Sequence, residues 1–147
     1  MRNSAVVDSG PLLALFDRND AHHRRVVAFL KSHPNLRLVT TWPVLTETSS
    51  LLAARVGKQA EADFLEWVER GGVTLIAQDS VALSAVRALI SRYRDLPFDL
   101  ADASVAVLAE SSGITQVLTL DRDFEVYRDA RGKPLKNLID AAAARRR

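Results

Sequence analysis

The sequence predicts an α/β fold of three layers, with helices on both faces of a central, mostly parallel sheet of about five strands. Three observations predict it. Short β-branched runs alternate with longer helical ones along the 147 residues, and such alternation implies crossover units, which join parallel neighbours. Glycines stand at Gly57, Gly71, Gly72 and Gly113, where helix C-termini need their caps. No repeat, low-complexity tract or interior linker divides the chain, so residues 1–140 read as a single domain followed by a basic tail at 141–147.

The first strand, Ala5 to Asp8, is a run of small and β-branched residues that stops at a carboxylate. Gly10-Pro11 then opens a helical run to Phe16, because proline is tolerated in a first turn, where its missing N–H is not needed. A second helix spans Ala21 to Ser32, and Leu36 to Thr40 reads as the next strand. Thr41 is placed as the N-cap of a helix from Trp42 to Arg55, with Pro43 in its first turn. Past Gly57 a further helix covers Lys58 to Arg70, so these two form a helical hairpin. Val73 to Ile76 is a short strand and Ser80 to Tyr93 a helix. A proline turn at Leu96-Pro97-Phe98 leads to Asp99 as the N-cap of an amphipathic helix from Leu100 to Ser111. Gln116 to Leu120 and Leu138 to Ile139 supply the last two strands.

Composition bounds the function. The absence of cysteine excludes a disulfide framework and a thiolate metal site, and suits a reducing compartment. The longest apolar stretches are too short to span a bilayer, and Asp8 interrupts the N-terminal one before it could form a signal-peptide core. A cytoplasmic protein with no membrane partner is the expectation.

Four carboxylates stand where the local pattern calls for an apolar residue or a strand end: Asp8, Glu47, Asp102 and Asp121. Asp8 and Asp121 each close a β-rich run, and carboxyl ends of strands are where open α/β sheets hold ligands. Glu47, with Val44 at i−3 and Leu51 at i+4, falls in an inward stripe, where a carboxylate is costly unless a cation or donors satisfy it. Asp102 is the third helical residue after Asp99 and faces inward with Val105, Ala106 and Ala109. Each has a plain structural alternative. Glu47 can reach solvent at the stripe's edge, Asp102 can serve as a capping and dipole residue, and Asp121 can begin a turn in which Asp123 rivals it. One cause explains all four together, a hard cation held by oxygen ligands, which selects Mg²⁺ or Mn²⁺ over zinc or copper. His22, His23 and His33 lie in one helical stretch and its end and read as surface residues.

The segments Val7-Asp8-Ser9-Gly10-Pro11-Leu12-Leu13-Ala14-Leu15, Thr40-Thr41-Trp42-Pro43-Val44-Leu45-Thr46-Glu47, Leu96-Pro97-Phe98-Asp99-Leu100-Ala101-Asp102-Ala103-Ser104 and Leu118-Thr119-Leu120-Asp121-Arg122-Asp123-Phe124 resemble, in order and spacing, the motifs of PIN-domain proteins, the family that includes VapC-type toxins. The resemblance runs from about Val6 to Tyr127. It implies a metal-dependent endoribonuclease in which Asp8, Glu47, Asp102 and Asp121 match the acidic quartet, and Ser9 and Thr119 the hydroxyl positions beside it. Asp99 would join or support the site, and Asp123 competes with Asp121 for the last position. The implied reaction is hydrolysis of an RNA phosphodiester by metal-activated water, with Mg²⁺ or Mn²⁺ as cofactor, leaving a 5′-phosphate and a 3′-hydroxyl. The implied partners are an RNA substrate, a cognate antitoxin and a second copy of the chain. A metal-dependent phosphatase would use a similar acidic pocket, but no Asp-x-Asp pair ends the first strand and no glycine-rich phosphate cradle follows. A non-catalytic module that binds RNA or protein is the remaining alternative.

Charge is uneven along the chain. From Arg122 to Arg147 eight basic residues face four acidic ones, a balance of +4 within a total of +2. A basic end following an acidic site suits a polyanionic substrate, with Arg122 and Arg128 as candidate RNA contacts; a solvated surface and a frayed tail at Arg145 to Arg147 are the simpler reading. In the hairpin, Phe64, Leu65, Trp67 and Val68 carry more apolar area than one stripe needs. They fit a homodimer or partner surface, or the packing of Trp67 against its own domain.

Overall fold

Five parallel strands run through the middle of the molecule in the order β3-β2-β1-β4-β5. In chain order the elements are β1 (Ser4–Val7), α1 (Ser9–Phe16), α2 (His23–Ser32), β2 (Arg37–Thr40), α3 (Trp42–Arg55), α4 (Lys58–Glu69), β3 (Thr74–Leu75), α5 (Ser80–Arg92), α6 (Leu100–Ser112), β4 (Gln116–Leu118), a 3-10 turn at Arg122–Glu125, and β5 (Lys136–Asn137). The structure is a computed structural model and describes residues 3–139; the basic tail expected at 141–147 lies outside them. No helix among these residues is long and apolar enough to cross a membrane.

All four residues of β1 are buried, as a strand covered on both faces requires. It pairs Val6 with Val39 of β2 on one side and with Val117 of β4 on the other. The chain builds outward from β1 through β2 to β3, then returns across the sheet to place β4 at β1's free edge. Strand order therefore reverses between β1 and β4. A crevice opens at the carboxyl ends of such a pair, where neighbouring connections leave in opposite directions.

Most elements fall within a residue or two of the sequence expectation, and α3 matches it at both ends. The last strand does not. Pairing with β4 is made by Lys136 and Asn137 rather than by Leu138 and Ile139, which enter a helical turn instead. The apolar pair follows burial: Ile139 is 1 % exposed in the core, whereas an edge strand accommodates the exposed Lys136. The α6 helix also departs from its expected amphipathic form. Residues 101–109 are all buried, because α3, α5 and β1 pack around it and its small side chains let them approach. Among the expected caps, Gly113 ends α6 in the left-handed region at φ 68°, and Gly57 closes α3 by donating its N–H to the Leu52 carbonyl at 2.9 Å while also standing before the first turn of α4.

The helical hairpin forms as expected. Trp67 sets its ring against Phe16 and Phe64, with centroids 5.3 and 6.4 Å away, so it packs within its own domain. Leu65 on the same helix remains exposed.

A carboxylate cluster at the strand crossing

Asp8 is the hinge between β1 and α1. Its backbone N–H donates to the Leu118 carbonyl at 2.9 Å, continuing the β1–β4 ladder. Its side chain then caps the helix: Oδ1 accepts from the Ser9 N–H at 2.8 Å. The other oxygen, Oδ2, accepts from the Thr119 hydroxyl at 3.0 Å. Thr119 serves two carboxylate segments, since the same Oγ1 accepts from the Asp121 N–H at 2.9 Å. Asp121 in turn caps the 3-10 turn by accepting from the Asp123 N–H at 2.9 Å.

Asp102 enters from α6. The Asp99 carboxylate accepts from the Asp102 N–H at 3.1 Å, and Asp102 Oδ2 accepts from the Asp99 N–H at 3.2 Å, a reciprocal capping box. Capping and site roles coincide here, because an ionised carboxylate has acceptor capacity beyond one bond. Asp8, Asp102 and Asp121 each bring an oxygen within 4.8 Å of the others'. Asp8 is 4 % exposed and Asp102 6 %.

Glu47 stands beside this trio rather than inside it. It is half-buried in the second turn of α3, and its Oε1 accepts from the Ser9 hydroxyl at 2.5 Å. Ser9 thus gives its N–H to Asp8 and its O–H to Glu47. Asp123 is half-buried behind Asp121 and contributes a backbone donor, while Asp99 acts as the cap of α6.

Burial and crowding set the protonation of these groups. Burial pushes the Asp8 carboxyl up to about 6, against the pull of the Ser9 and Thr119 hydrogen bonds, with Asp121 and Glu47 adding repulsion. Asp102 is pushed up to about 8, first by burial and then by Asp8, Asp99 and Asp121. Asp123 is also raised, by burial and by Asp121. A cluster of this kind holds protons near neutrality unless a cation replaces them. The converging donors are carboxylate oxygens, the set preferred by Mg²⁺ and Mn²⁺. His22 and His33 are exposed and His23 gives a ring nitrogen to the Ala14 carbonyl at 2.7 Å, so histidine plays no part in it.

Two supports escape sequence reasoning. The carboxamide of Asn137 on β5 holds both backbone polar groups of Thr119: Nδ2 donates to its carbonyl at 2.9 Å, and Oδ1 accepts from its N–H at 3.4 Å. The buried hydroxyls of Thr41 and Ser104 meet at 2.7 Å and join the N-cap of α3 to the second turn of α6. Neither pair carries a local signal, since each joins segments distant in sequence. The candidate RNA contacts are both exposed, and the Arg128 guanidinium folds back onto the Glu125 and Tyr127 carbonyls.

The family model for the PIN domain matches residues 5–130. Ribonuclease VapC26 of Mycobacterium tuberculosis (strain ATCC 25618 / H37Rv) is 30 % identical over 117 residues, covering 80 % of this chain and 86 % of the relative. The crystal structure of Mycobacterium tuberculosis VapC20, a sarcin-ricin loop cleaving toxin, superposes with a TM-score of 0.76 at 22 % identity over 82 % of this chain and 92 % of that one. VapBC2 from Rickettsia felis, solved bound to a DNA fragment from their promoter, superposes with a TM-score of 0.64 at 12 % identity over 91 % of this chain and 96 % of that one.

Proposed function

The chain belongs to the PIN-domain family, and from that premise we propose that it is a metal-dependent endoribonuclease, the toxin of a toxin–antitoxin pair. The observation that carries the chemistry is the meeting of Asp8, Asp102 and Asp121 at the point where strand order reverses. These three would hold one or two Mg²⁺ or Mn²⁺ ions, with Glu47 completing a second position or orienting the attacking water. Bound there, a divalent ion neutralises phosphate charge and lowers the pKa of water, supplying a nucleophile near pH 7. The protein's own work is to aim the carboxylates. Ser9 ties Asp8 to Glu47, and Thr119 ties Asp8 to the Asp121 backbone, so both Asp8 oxygens and one of Glu47 are held before substrate arrives.

An RNA strand is the substrate on this reading, as the name of the VapC26 relative supports. A small antitoxin protein is the partner, as the VapBC2 assembly supports. The site of action is the cytoplasm, a compartment consistent with a chain free of cysteine, and residues 1–140 act as one nuclease domain. A second copy of the chain completes the assembly through the hairpin, where Leu65 is exposed.

The test is cleavage of end-labelled RNA with Mg²⁺ or Mn²⁺ and with a chelator, beside a simple phosphate monoester. Metal-dependent RNA products carrying 5′-phosphates, absent from Asp8→Asn, are expected. Turnover of the monoester alone would redirect the assignment to a phosphatase, and RNA binding without cleavage to a non-catalytic module.

A further inference from the structure

Trp42 is 62 % exposed, although tryptophan ordinarily buries its large apolar surface. The other eight aromatic side chains of the chain, Trp67 among them, each pack against another ring. Trp42 has no ring partner among the described residues. It is nonetheless held on rigid backbone, as the first residue of α3 between the N-cap Thr41 and Pro43, with its carbonyl accepting from the Thr46 hydroxyl at 3.1 Å.

Its place in the fold gives the exposure meaning. Thr41, the preceding residue, is clamped to Ser104, which lies two positions past Asp102 on α6. Glu47 lies five residues further along the same helix, a rise of about 7.5 Å and a turn of about 140°, so the helix presents Glu47 inward and Trp42 to the outside. Val6 pairs with Val39, so Asp8 and Thr41 follow neighbouring strand ends, and the backbone of Trp42 stands at the edge of the carboxylate cluster, on the side of α6 where Leu100 is also exposed at 52 %. A phosphodiester seated on the cluster would bring its flanking nucleotides to within reach of this edge. Bases unstacked from a single strand are bound chiefly by aromatic faces.

We propose that Trp42 is a stacking platform for a base flanking the scissile phosphate, giving the site its grip on single-stranded RNA over a bare phosphate backbone. The inference rests on the nuclease reading and deepens it. Charge alone holds any polyanion, whereas an exposed indole beside the acidic pocket distinguishes strands that carry bases. Phenylalanine would keep most of that contact and alanine none.

The experiment measures binding of a single-stranded RNA oligomer and of an abasic oligomer of equal length, with Ca²⁺ in place of Mg²⁺ to hold back hydrolysis. Indole fluorescence and competition give the affinities for the intact chain, Trp42→Phe and Trp42→Ala. The intact chain should bind the base-bearing strand about tenfold or more tightly than the abasic one, with quenching of an exposed indole. Trp42→Ala should lose that contrast and Trp42→Phe keep most of it. Affinity for the abasic strand should be equal in all three. Equal affinity for the two strands, absent binding, or a contrast that survives in Trp42→Ala would overturn the proposal. So would a Trp42→Ala defect confined to self-association or to capture of a protein partner. Failure of the nuclease reading shows separately, as base-dependent binding without cleavage of RNA in Mg²⁺ or Mn²⁺.

Discussion

The Asn137 carboxamide grips Thr119 by both its N–H and its carbonyl, doing for the end of β4 what another strand residue would do. The grip matters because the hydroxyl of the same Thr119 links Asp8 to the Asp121 backbone. An edge strand of two residues thereby fixes two carboxylates it never touches.

Replacing Asn137 with alanine should weaken Mn²⁺ binding about tenfold or more, the usual size of effect for groups that orient metal ligands. Global stability should fall by about 1–2 kcal/mol, from two backbone groups left short of partners. Isothermal titration with Mn²⁺ beside urea melts separates the two effects; unchanged affinity in a folded variant would show that Thr119 holds its place alone.

The stability of the metal-free protein should decline as pH rises from about 4 to 8. Asp8 and Asp102 titrate near 6 and 8 in the folded chain against about 3.8 unfolded. Between those values the folded state binds more protons, so the free energy of unfolding drops with pH; the advantage is whole below pH 4 and gone above 8. Saturating Mg²⁺ should flatten the decline and release protons on binding. Thermal melts across pH with and without Mg²⁺ give the answer, and a metal-free profile that rises towards neutrality would contradict it.

Asp8→Asn should abolish metal-dependent cleavage while raising the stability of the metal-free protein at pH 7. Removing a charge whose pKa is lifted to about 6 relieves a cost of about 3 kcal/mol, less whatever the amide loses against Thr119. Denaturant titration of both proteins in a chelator reads the sign directly. A destabilised variant would mean that Asp8 serves the fold more than the site.

Gly72→Ala should be among the costlier single changes outside the site. A methyl there would sit 2.1 Å from the Trp67 indole, which lies flat over the chain reversal leading to β3. Displacing that ring disturbs its contacts with Phe16 and Phe64, so about 2 kcal/mol or more is expected. Paired with Trp67→Leu, the loss should shrink, since the smaller side chain leaves room; additive losses in a double-mutant cycle would locate the strain elsewhere.

The helices and the first four strands were legible because their signals are local. Thr41 and Asp99 cap where the sequence places them, and the β-branched run at Ser4–Val7 is the buried central strand. The carboxylates stood out by being charged at positions where the pattern demanded none. Nothing local marks β5: its two residues pair only because β4 offers an edge, and the more apolar Leu138-Ile139 goes to the core instead. The Thr41–Ser104 contact and the Asn137 clamp were hidden for the same reason, as partners separated by long stretches of chain have no spacing to betray them. That Asp102 both closes a capping box and joins the cluster could not be read either, since the two roles place the same residue at the same helical position.

The return of β4 to the edge of β1 has a consequence during synthesis. The halves of the pocket joined by the Thr119–Asp8 bond are 111 residues apart. A growing polypeptide carries Asp8 early, yet it lacks Thr119 and Asp121 until most of the described residues have emerged from the ribosome. The carboxylate cluster is therefore completed only late in synthesis.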